Sequence, residues 1–227
     1  MHIIVSILGF VVVIGSLGRL PGVRLEMSQQ PQSVRGSPLP SLPGIGIELG
    51  LNPRGNIESL LVYHFQQQVQ TLSLCTEEPV KREKQVGTLA SADFNFDGFS
   101  DLALQVTEDK KNNNTFCVWL YDPGTQRFVA SPQLSQLTNP VPDPKTHMVA
   151  STKYPGCPYC YDRQFFKWSG DQLEPAREES LYMDTLAIGV GGCDYVRTVK
   201  EEKDGRLRQV SKDRTNALGG PCGGELY

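Results

Sequence analysis

Short runs of alternating polar and apolar residues, rich in β-branched and aromatic side chains, are separated along this chain by turn-forming residues. Phe116–Tyr121 is followed by Asp122-Pro123-Gly124, and Tyr195–Glu201 reaches a turn at Asp204-Gly205. Because proline presets φ for a turn and glycine accepts a positive φ, each such pair of runs is predicted to form a β-hairpin. No stretch of the chain has a strong helical period, so long helices are not expected.

Three of the predicted hairpins share one pattern, in which a strand of aromatic or valine residues is followed by a polar turn and a hydrophobic return. They contain Phe116–Tyr121, Gln164–Trp168 and Tyr195–Glu201. Recurring hairpins of this kind are typical of β-propeller blades or of a related meander. The predicted fold class is therefore all-β, a divergent and small β-propeller-like meander of hairpins, and an irregular β-sandwich is the alternative.

The most specific motif is the segment Asp93–Asp101 (DFNFDGFSD), called the acidic loop below. Side-chain oxygens recur at its positions 1, 3, 5 and 9, and glycine at position 6 allows a sharp turn. The predicted metal ligands are four side chains and one backbone carbonyl, namely Asp93, Asn95, Asp97, Asp101 and the carbonyl of Phe99. Ca²⁺ binds about 6–8 oxygen atoms in a flexible geometry, so this set suits Ca²⁺ better than Mg²⁺.

The flanking sequence indicates that this site is not an EF-hand. An EF-hand carries Glu at position 12 of its loop, where this chain has Leu104, and Leu102–Val106 is typical of a strand. We therefore expect a β-associated calcium site, similar to those of FG-GAP and VCBS repeats, that stabilises the fold and takes no part in catalysis. A metal-free turn rich in Asp and Gly is the alternative.

The N-terminal residues 3–15 (IIVSILGFVVVIG) form an apolar run shorter than the ~20 residues of a membrane-spanning helix. Such a run is typical of a signal peptide, and the small residues Ser16 and Gly18 suit a cleavage site. No Lys or Arg precedes the run, so an uncleaved anchor is the alternative. Residues 28–44 are rich in Pro, Ser and Gln, which is typical of a flexible spacer. We predict a signal peptide over residues 1–18, a linker over 19–44 and a folded, exported domain over 45–227.

Six cysteines, an even number, are expected to form disulfides in an exported chain, although the sequence does not rank their pairings. They are Cys75, Cys117, Cys157, Cys160, Cys193 and Cys222. Cys157-Pro158-Tyr159-Cys160 matches the tetrapeptide of glutaredoxins, whose reactive thiol lies at a helix N-terminus. The strand-like sequence that follows, residues 161–170, favours a disulfide-closed surface loop over a redox site. A zinc site formed by Cys157, Cys160, Cys193 and Cys222 is disfavoured in an oxidising compartment.

The rest of the sequence favours a binding protein over an enzyme. A net charge of −3 argues against a nucleic-acid partner, whose recognition requires a basic patch. The sequence has no P-loop, no Gly-x-Ser-x-Gly and no His-Glu-x-x-His motif. We therefore predict that the chain is not an enzyme and that it contacts a membrane only through an uncleaved leader.

The order of motifs over residues 85–185 resembles that of the exported immunity proteins that accompany lysozyme-like effectors of bacteria-killing type IV secretion systems, sometimes grouped with VCBS-like proteins. The resemblance begins with the acidic loop and Leu102. It continues with Trp119–Pro123, Arg127-Phe128, Ser131–Leu137, Asn139-Pro140, the loop that Ser151 begins, and the motif Phe166-x-Trp168-x-Gly170-x-x-Leu173. Calcium loops occur in many unrelated proteins, whereas their order with these segments is more specific.

The resemblance implies a divergent β-propeller with bound Ca²⁺ that is exported to the periplasm and inhibits a lysozyme-like muramidase by placing a loop in its active-site cleft. The segment that suits this role is Ser151–Arg163 (STKYPGCPYCYDR), which is rich in tyrosine and contains a cysteine pair. The residues assigned to partner contact are Ser151, Tyr154, Tyr159 and Tyr161. Tyrosine supplies a large contact area at a low entropy cost, and a disulfide-closed loop loses little freedom on binding.

Two other functions are consistent with the sequence. The first alternative is a calcium-dependent surface module that recognises glycan or protein through its loops, as FG-GAP domains do. The second alternative is a thiol-disulfide oxidoreductase that uses Cys157 and Cys160. Glycan binding with no effect on a muramidase would distinguish the first, and a thiol with a depressed pKa would distinguish the second.

Overall fold

The protein is built from antiparallel strands, as its alternating sequence predicts. The structure, a computed structural model, describes residues 42–81, 86–157, 159–184 and 195–215, all of which lie in the unit Pro31–Tyr227. The predicted signal peptide and the linker up to residue 41 lie outside these residues. No helix within the described ranges is long and apolar enough to cross a membrane. The predicted all-β class is confirmed.

The described strands form three sheets in which the strand order follows the chain. The first sheet contains β1 (Ile45–Leu51), β2 (Ile57–His64) and β3 (Gln67–Ser73). The second contains β4 (Leu89–Ala92), β5 (Asp101–Glu108), β6 (Asn114–Asp122) and β7 (Arg127–Ala130). A short helix, α1 (Pro132–Ser135), follows β7. The third contains β8 (Pro140–Asp143), β9 (Met148–Lys153), β10 (Tyr161–Ser169), β11 (Gln172–Met183), β12 (Tyr195–Lys203) and β13 (Arg206–Thr215).

The hairpins predicted from turn residues are present. Asp204 and Gly205, with φ of +53° and +73°, join β12 to β13 in the tight turn expected of an Asp-Gly pair. β6 and β7 form the hairpin around Asp122-Pro123-Gly124, and β10 and β11 form the next of the three similar hairpins. The last two of these hairpins lie side by side in the third sheet rather than in separate sheets. None of the three described sheets closes into a barrel.

The second sheet is covered on both faces, because β5 is buried from Asp101 to Val106. On one face, Leu102 belongs to a hydrophobic cluster with Ile47 of the first sheet. On the other face, Ala103 belongs to a cluster with Val149 of the third sheet. Successive side chains of a strand point to opposite faces, so β5 contributes to both clusters. The acidic loop therefore leads directly into the most deeply buried strand that the structure describes.

Candidate functional site

The acidic loop connects β4 to β5 and is closed by its own side chains. The carboxylate of Asp93 accepts hydrogen bonds from the backbone N–H groups of Asp97 (3.2 Å) and Gly98 (2.9 Å). Oδ1 of Asp97 accepts one from the N–H of Phe99 (2.9 Å). Gly98 has a φ of +90°, a conformation that glycine adopts without strain. The loop is thus a compact turn held by the residues predicted to bind metal.

Aromatic residues between the acidic ones attach the loop to the rest of the protein. Phe94 is buried, and its carbonyl accepts a hydrogen bond of 2.8 Å from Nε1 of Trp168. Phe96 stacks on His147 with 5.3 Å between ring centroids, and Phe99 packs against Tyr121 at 5.7 Å. These contacts connect the acidic loop to the second and third sheets and fix its position.

Asp101 differs from the other acidic residues of the loop because it is completely buried. Its Oδ2 accepts a hydrogen bond from the N–H of Phe94 (2.7 Å), and its Oδ1 accepts one from the N–H of Tyr121 (2.8 Å). Burial raises the pKa of Asp101 to about 7 against the opposing effect of these hydrogen bonds, and the charges of Asp97 and Asp93 raise it further. Asp101 thus binds one backbone group of the loop, at Phe94, and one of β6, at Tyr121, and so ties the loop to β6.

The acidic loop offers the donor chemistry that calcium prefers, because all of its polar side-chain acceptors are oxygen atoms. The charges of Asp97 and Asp93 contribute to the raised pKa of Asp101, and a bound divalent cation would offset this effect. In the present arrangement, no three His, Cys, Asp or Glu side chains in the part of the chain that the structure describes are grouped to hold a metal ion. Calcium binding therefore requires oxygen atoms to turn from backbone N–H groups toward a common point.

The segment Tyr154–Cys160 between β9 and β10, called the cysteine loop below, is closed by a disulfide between Cys157 and Cys160. A second disulfide joins Cys75 to Cys117, and Cys193 and Cys222 lie outside the described residues. Cys160 is buried and is followed by a strand, whereas a glutaredoxin-like site requires a helix there. The expected disulfide-closed surface loop is present.

Residues far away in sequence brace the cysteine loop. Asn113, in the β5–β6 connection, accepts a hydrogen bond from the N–H of Tyr154 (2.7 Å) and donates one to its carbonyl (3.0 Å). Nζ of Lys111 donates to the carbonyl of Pro155 (2.7 Å). Asp109 holds Asn113 in place, and the hydrogen bonds from Asn113 keep the pKa of Asp109 below its usual value. The cysteine loop is thus fixed at its start by the β5–β6 connection and at its end by the disulfide.

The four predicted partner-contact residues fall into two pairs. Tyr154 and Tyr159 are exposed on the cysteine loop, at 38% and 64% of their surface. Ser151 and Tyr161 lie at the base of the loop and are engaged within the fold. The hydroxyl of Ser151 donates to the carbonyl of Thr138 (2.9 Å), and that of Tyr161 donates to Oε1 of Glu179 (2.5 Å). Of these four residues, only Tyr154 and Tyr159 have exposed side chains.

Glu179 was missed by the sequence analysis, because acidic residues of this region are typical of a solvated strand face. It is buried, and besides Tyr161 it binds Arg197 (3.0 Å) and Arg177 (3.1 Å). Burial acts to raise the pKa of Glu179, but the hydrogen bonds from Arg197 and Tyr161 and the charges of both arginines outweigh it, so the pKa is lowered. Burial and Glu179 together raise the pKa of Tyr161 to about 12. Tyr161 therefore remains a hydrogen-bond donor at neutral pH.

The fold and these two loops define an all-β, disulfide-bonded protein of antiparallel meanders. Its fold is similar to that of a solved structure described as a Xanthomonas type IV secretion system related protein, with a TM-score of 0.55 and 16% sequence identity. The similarity covers 81% of this chain and 100% of that chain. No protein-family model and no curated protein matches the sequence. The likeness therefore shows a shared fold.

Proposed function

We propose that this protein is an exported immunity protein that inhibits a lysozyme-like peptidoglycan hydrolase by inserting the cysteine loop into the enzyme's cleft. The observation that carries the proposal is the rigid loop itself, which is closed by a disulfide, braced by Asn113 and Lys111, and presents Tyr154 and Tyr159 outward. The structural likeness to a type IV secretion system related protein is consistent with this role. Two disulfides are consistent with export to an oxidising compartment such as the periplasm.

The rigidity of the loop supports tight binding. A loop that is already ordered loses little conformational entropy when it binds, so more of its contact energy contributes to affinity. Tyrosine side chains contribute a large buried area with few rotatable bonds. Tyrosine is enriched among the few interface residues whose replacement by alanine weakens binding by about 2 kcal/mol or more.

The charges around the exposed tyrosines also suit this partner. Lys153 immediately precedes Tyr154, Lys111 contacts the carbonyl of Pro155, and Lys110 is the neighbour of Lys111 in sequence; all three side chains are exposed. The cleft of most glycoside hydrolases contains a pair of catalytic carboxyl groups. The three lysines outnumber the carboxylate of Asp109 in the β5–β6 connection, so their net positive charge complements the cleft and increases the rate of association.

We further propose that the acidic loop binds one structural Ca²⁺ through Asp93, Asn95, Asp97, the carbonyl of Phe99, and Asp101, and that the meanders are blades of a divergent β-propeller. The oxygen-only side-chain acceptors and their recurrence at positions 1, 3, 5 and 9 of the motif support the metal. The loop has no part in inhibition beyond stabilising β5 and the sheets around it. The consecutive strand order in each sheet is consistent with blades.

The test is a cell-wall turbidity assay in which the protein is mixed with several muramidases at stoichiometric and excess ratios. We expect dose-dependent protection of the cell walls. The double variant Tyr154→Ala/Tyr159→Ala should inhibit at least tenfold more weakly. The control variant Phe65→Ala removes an exposed aromatic ring from the β2–β3 turn and should inhibit within twofold of the unchanged protein. Equal inhibition by the double variant would exclude the loop, and lysis by this protein alone would make it an enzyme.

A further inference from the structure

One face of the third sheet carries a polar groove of about 400 Å³ that is separate from the exposed tyrosines. Its floor is formed by β9, β10, β11 and β12, and residues 136–138 form part of its wall. A volume of this size lies within the range of about 300–1,000 Å³ that is usual for small-ligand sites. Neither the acidic loop nor the tip of the cysteine loop contributes to its lining.

The strand register arranges the floor of the groove as two rows of polar side chains. The first row crosses the four strands in the order Lys153, Asp162, Ser180 and Thr198. The second row, two residues along each strand, is Ser151, Gln164, Glu178 and Lys200. Because alternate residues of a strand share a face, both rows project into the same groove. The result is a regular array in which hydrogen-bond donors stand beside acceptors.

Three of the four charged members of this array, Asp162, Glu178 and Lys200, make side-chain hydrogen bonds. The carboxylate of Glu178 accepts hydrogen bonds from Gln164 (3.1 Å) and from Lys200 (2.9 Å). The hydroxyl of Tyr182 donates to Asp162. Each carboxylate has lone pairs beyond those already used, so both remain acceptors for a ligand. Within the described residues, the hydroxyls of Ser180 and Thr198 make no hydrogen bond, which leaves them available as donors and acceptors.

An exposed aromatic ring stands beside the array. Tyr182 is two residues from Ser180 on β11, so it lies on the groove face, and 40% of its surface is exposed. Its hydrogen bond to Asp162 orients the ring at the side of the first row. The flat face of such a ring is suited to the C–H face of a pyranose.

The balance of charged side chains in the groove favours a neutral ligand. The two rows contain as many cations (Lys153 and Lys200) as carboxylates (Asp162 and Glu178). A site for phosphates or for an acidic peptide would have an excess of cations, and a site for a polyamine would have an excess of carboxylates. Sugar hydroxyls both donate and accept hydrogen bonds, which matches paired donors and acceptors beside an aromatic ring. We infer that this groove binds a neutral saccharide, a function separate from the inhibition proposed above.

The test is isothermal titration calorimetry of the full-length protein with two neutral probes, the N-acetylglucosamine trimer and cellotriose. We expect at least one probe to bind. Gln164→Ala, which removes an exposed donor from the second row, and Tyr182→Ala, which removes the ring, should each weaken that binding at least tenfold. The control Gln209→Ala lies on β13 outside the groove and should change the dissociation constant of the saccharide by less than twofold.

The inference would be overturned if neither probe binds at millimolar concentration, or if both variants bind a probe as well as the unchanged protein does. Tighter binding of an aspartate-rich peptide than of either saccharide would also overturn it. Thermal melting of each variant confirms that it is folded. The turbidity assay and the calorimetry together distinguish the two proposals. Gln164→Ala should retain muramidase inhibition, and Tyr154→Ala/Tyr159→Ala should retain saccharide binding. Loss of inhibition in Gln164→Ala with unchanged saccharide binding would reassign the groove to the protein partner.

Discussion

The acidic loop and the cysteine loop are held by different kinds of contact. The acidic loop is closed by hydrogen bonds between residues at most seven positions apart. The cysteine loop has a local disulfide, but its other support comes from Asn113, which is 41 residues away from Tyr154. A loop closed by its own side chains is visible in a sequence motif. The bracing of either loop from another part of the chain, such as the hydrogen bond from Trp168 to the carbonyl of Phe94, is visible only in the folded structure.

The two loops also differ in how they connect to the core. Asp101 is buried at the start of β5 and binds the backbone of β6, so a change there affects the second sheet. The contacts of Asn113 with the cysteine loop are at the surface, so their loss frees the loop and leaves the core intact. We therefore expect changes in the acidic loop to alter global stability and changes around the cysteine loop to alter local order and function.

The largest effect is expected from Asp101→Ala. The substitution leaves the buried N–H groups of Phe94 and Tyr121 without an acceptor, which costs about 1–3 kcal/mol for each group. We expect a loss of about 2–5 kcal/mol in the free energy of unfolding, measured by urea denaturation with a chelator present. Asp97→Ala, at an exposed position of the same loop, should cost less than about 1 kcal/mol. Similar losses for the two variants would contradict the distinction between buried and exposed loop residues.

Removal of calcium is expected to have the next largest effect. A ligand that binds only the folded chain stabilises it by RT ln(1 + [L]/Kd), about 2.7 kcal/mol at a hundredfold excess over Kd. Thermal unfolding with and without a chelator measures this difference. The decrease in melting temperature that the chelator causes should disappear in Asp97→Ala and persist in Asn113→Ala, because only the first change removes a proposed ligand. A melting curve that the chelator leaves unchanged would exclude the calcium site.

Local patterns made the strands, the turns and the composition of the acidic loop predictable. The Asp204-Gly205 turn and the disulfide between Cys157 and Cys160 involve residues close in sequence, and both are present. The joining of two similar hairpins in one sheet depends on the pairing of β11 with β12, which no local motif specifies. The burial of Glu179 likewise depends on arginines from two strands. The pairing of these strands and the burial of Glu179 depend on tertiary contacts, so they could not be predicted from local sequence.

A smaller effect on stability is expected from Asn113→Ala. The variant removes two hydrogen bonds to the backbone of Tyr154, each of which contributes about 0.5–1.5 kcal/mol. We expect faster amide hydrogen exchange at Tyr154 and weaker muramidase inhibition, with a change of at most about 1–2 kcal/mol in the free energy of unfolding. Lys110→Ala, in the same connection, is the control for exchange. Unchanged exchange at Tyr154 would show that Asn113 does not hold the start of the cysteine loop.

The smallest effect is expected from titration of Glu179, which supports the end of the cysteine loop through the hydroxyl of Tyr161. Its pKa is lower in the folded chain than the ordinary value of 4.5, because the hydrogen bonds from Arg197 and Tyr161 and the arginine charges outweigh burial. The stability it contributes is therefore complete above about pH 4.5 and is lost as the pH falls through the folded value.

This effect should be small because burial opposes the ion pairs and because both arginines are about one-third exposed. Urea denaturation between about pH 6 and 3 should show a shallower loss of stability for Glu179→Gln than for the unchanged protein. The exposed control Glu201→Gln should follow the unchanged protein. Since other carboxylates also titrate in this range, the difference between the two slopes is the measurement. Equal slopes would mean that the pKa of Glu179 is the same in the folded and the unfolded chain, which would contradict the stabilising effect of its ion pairs at the base of the cysteine loop.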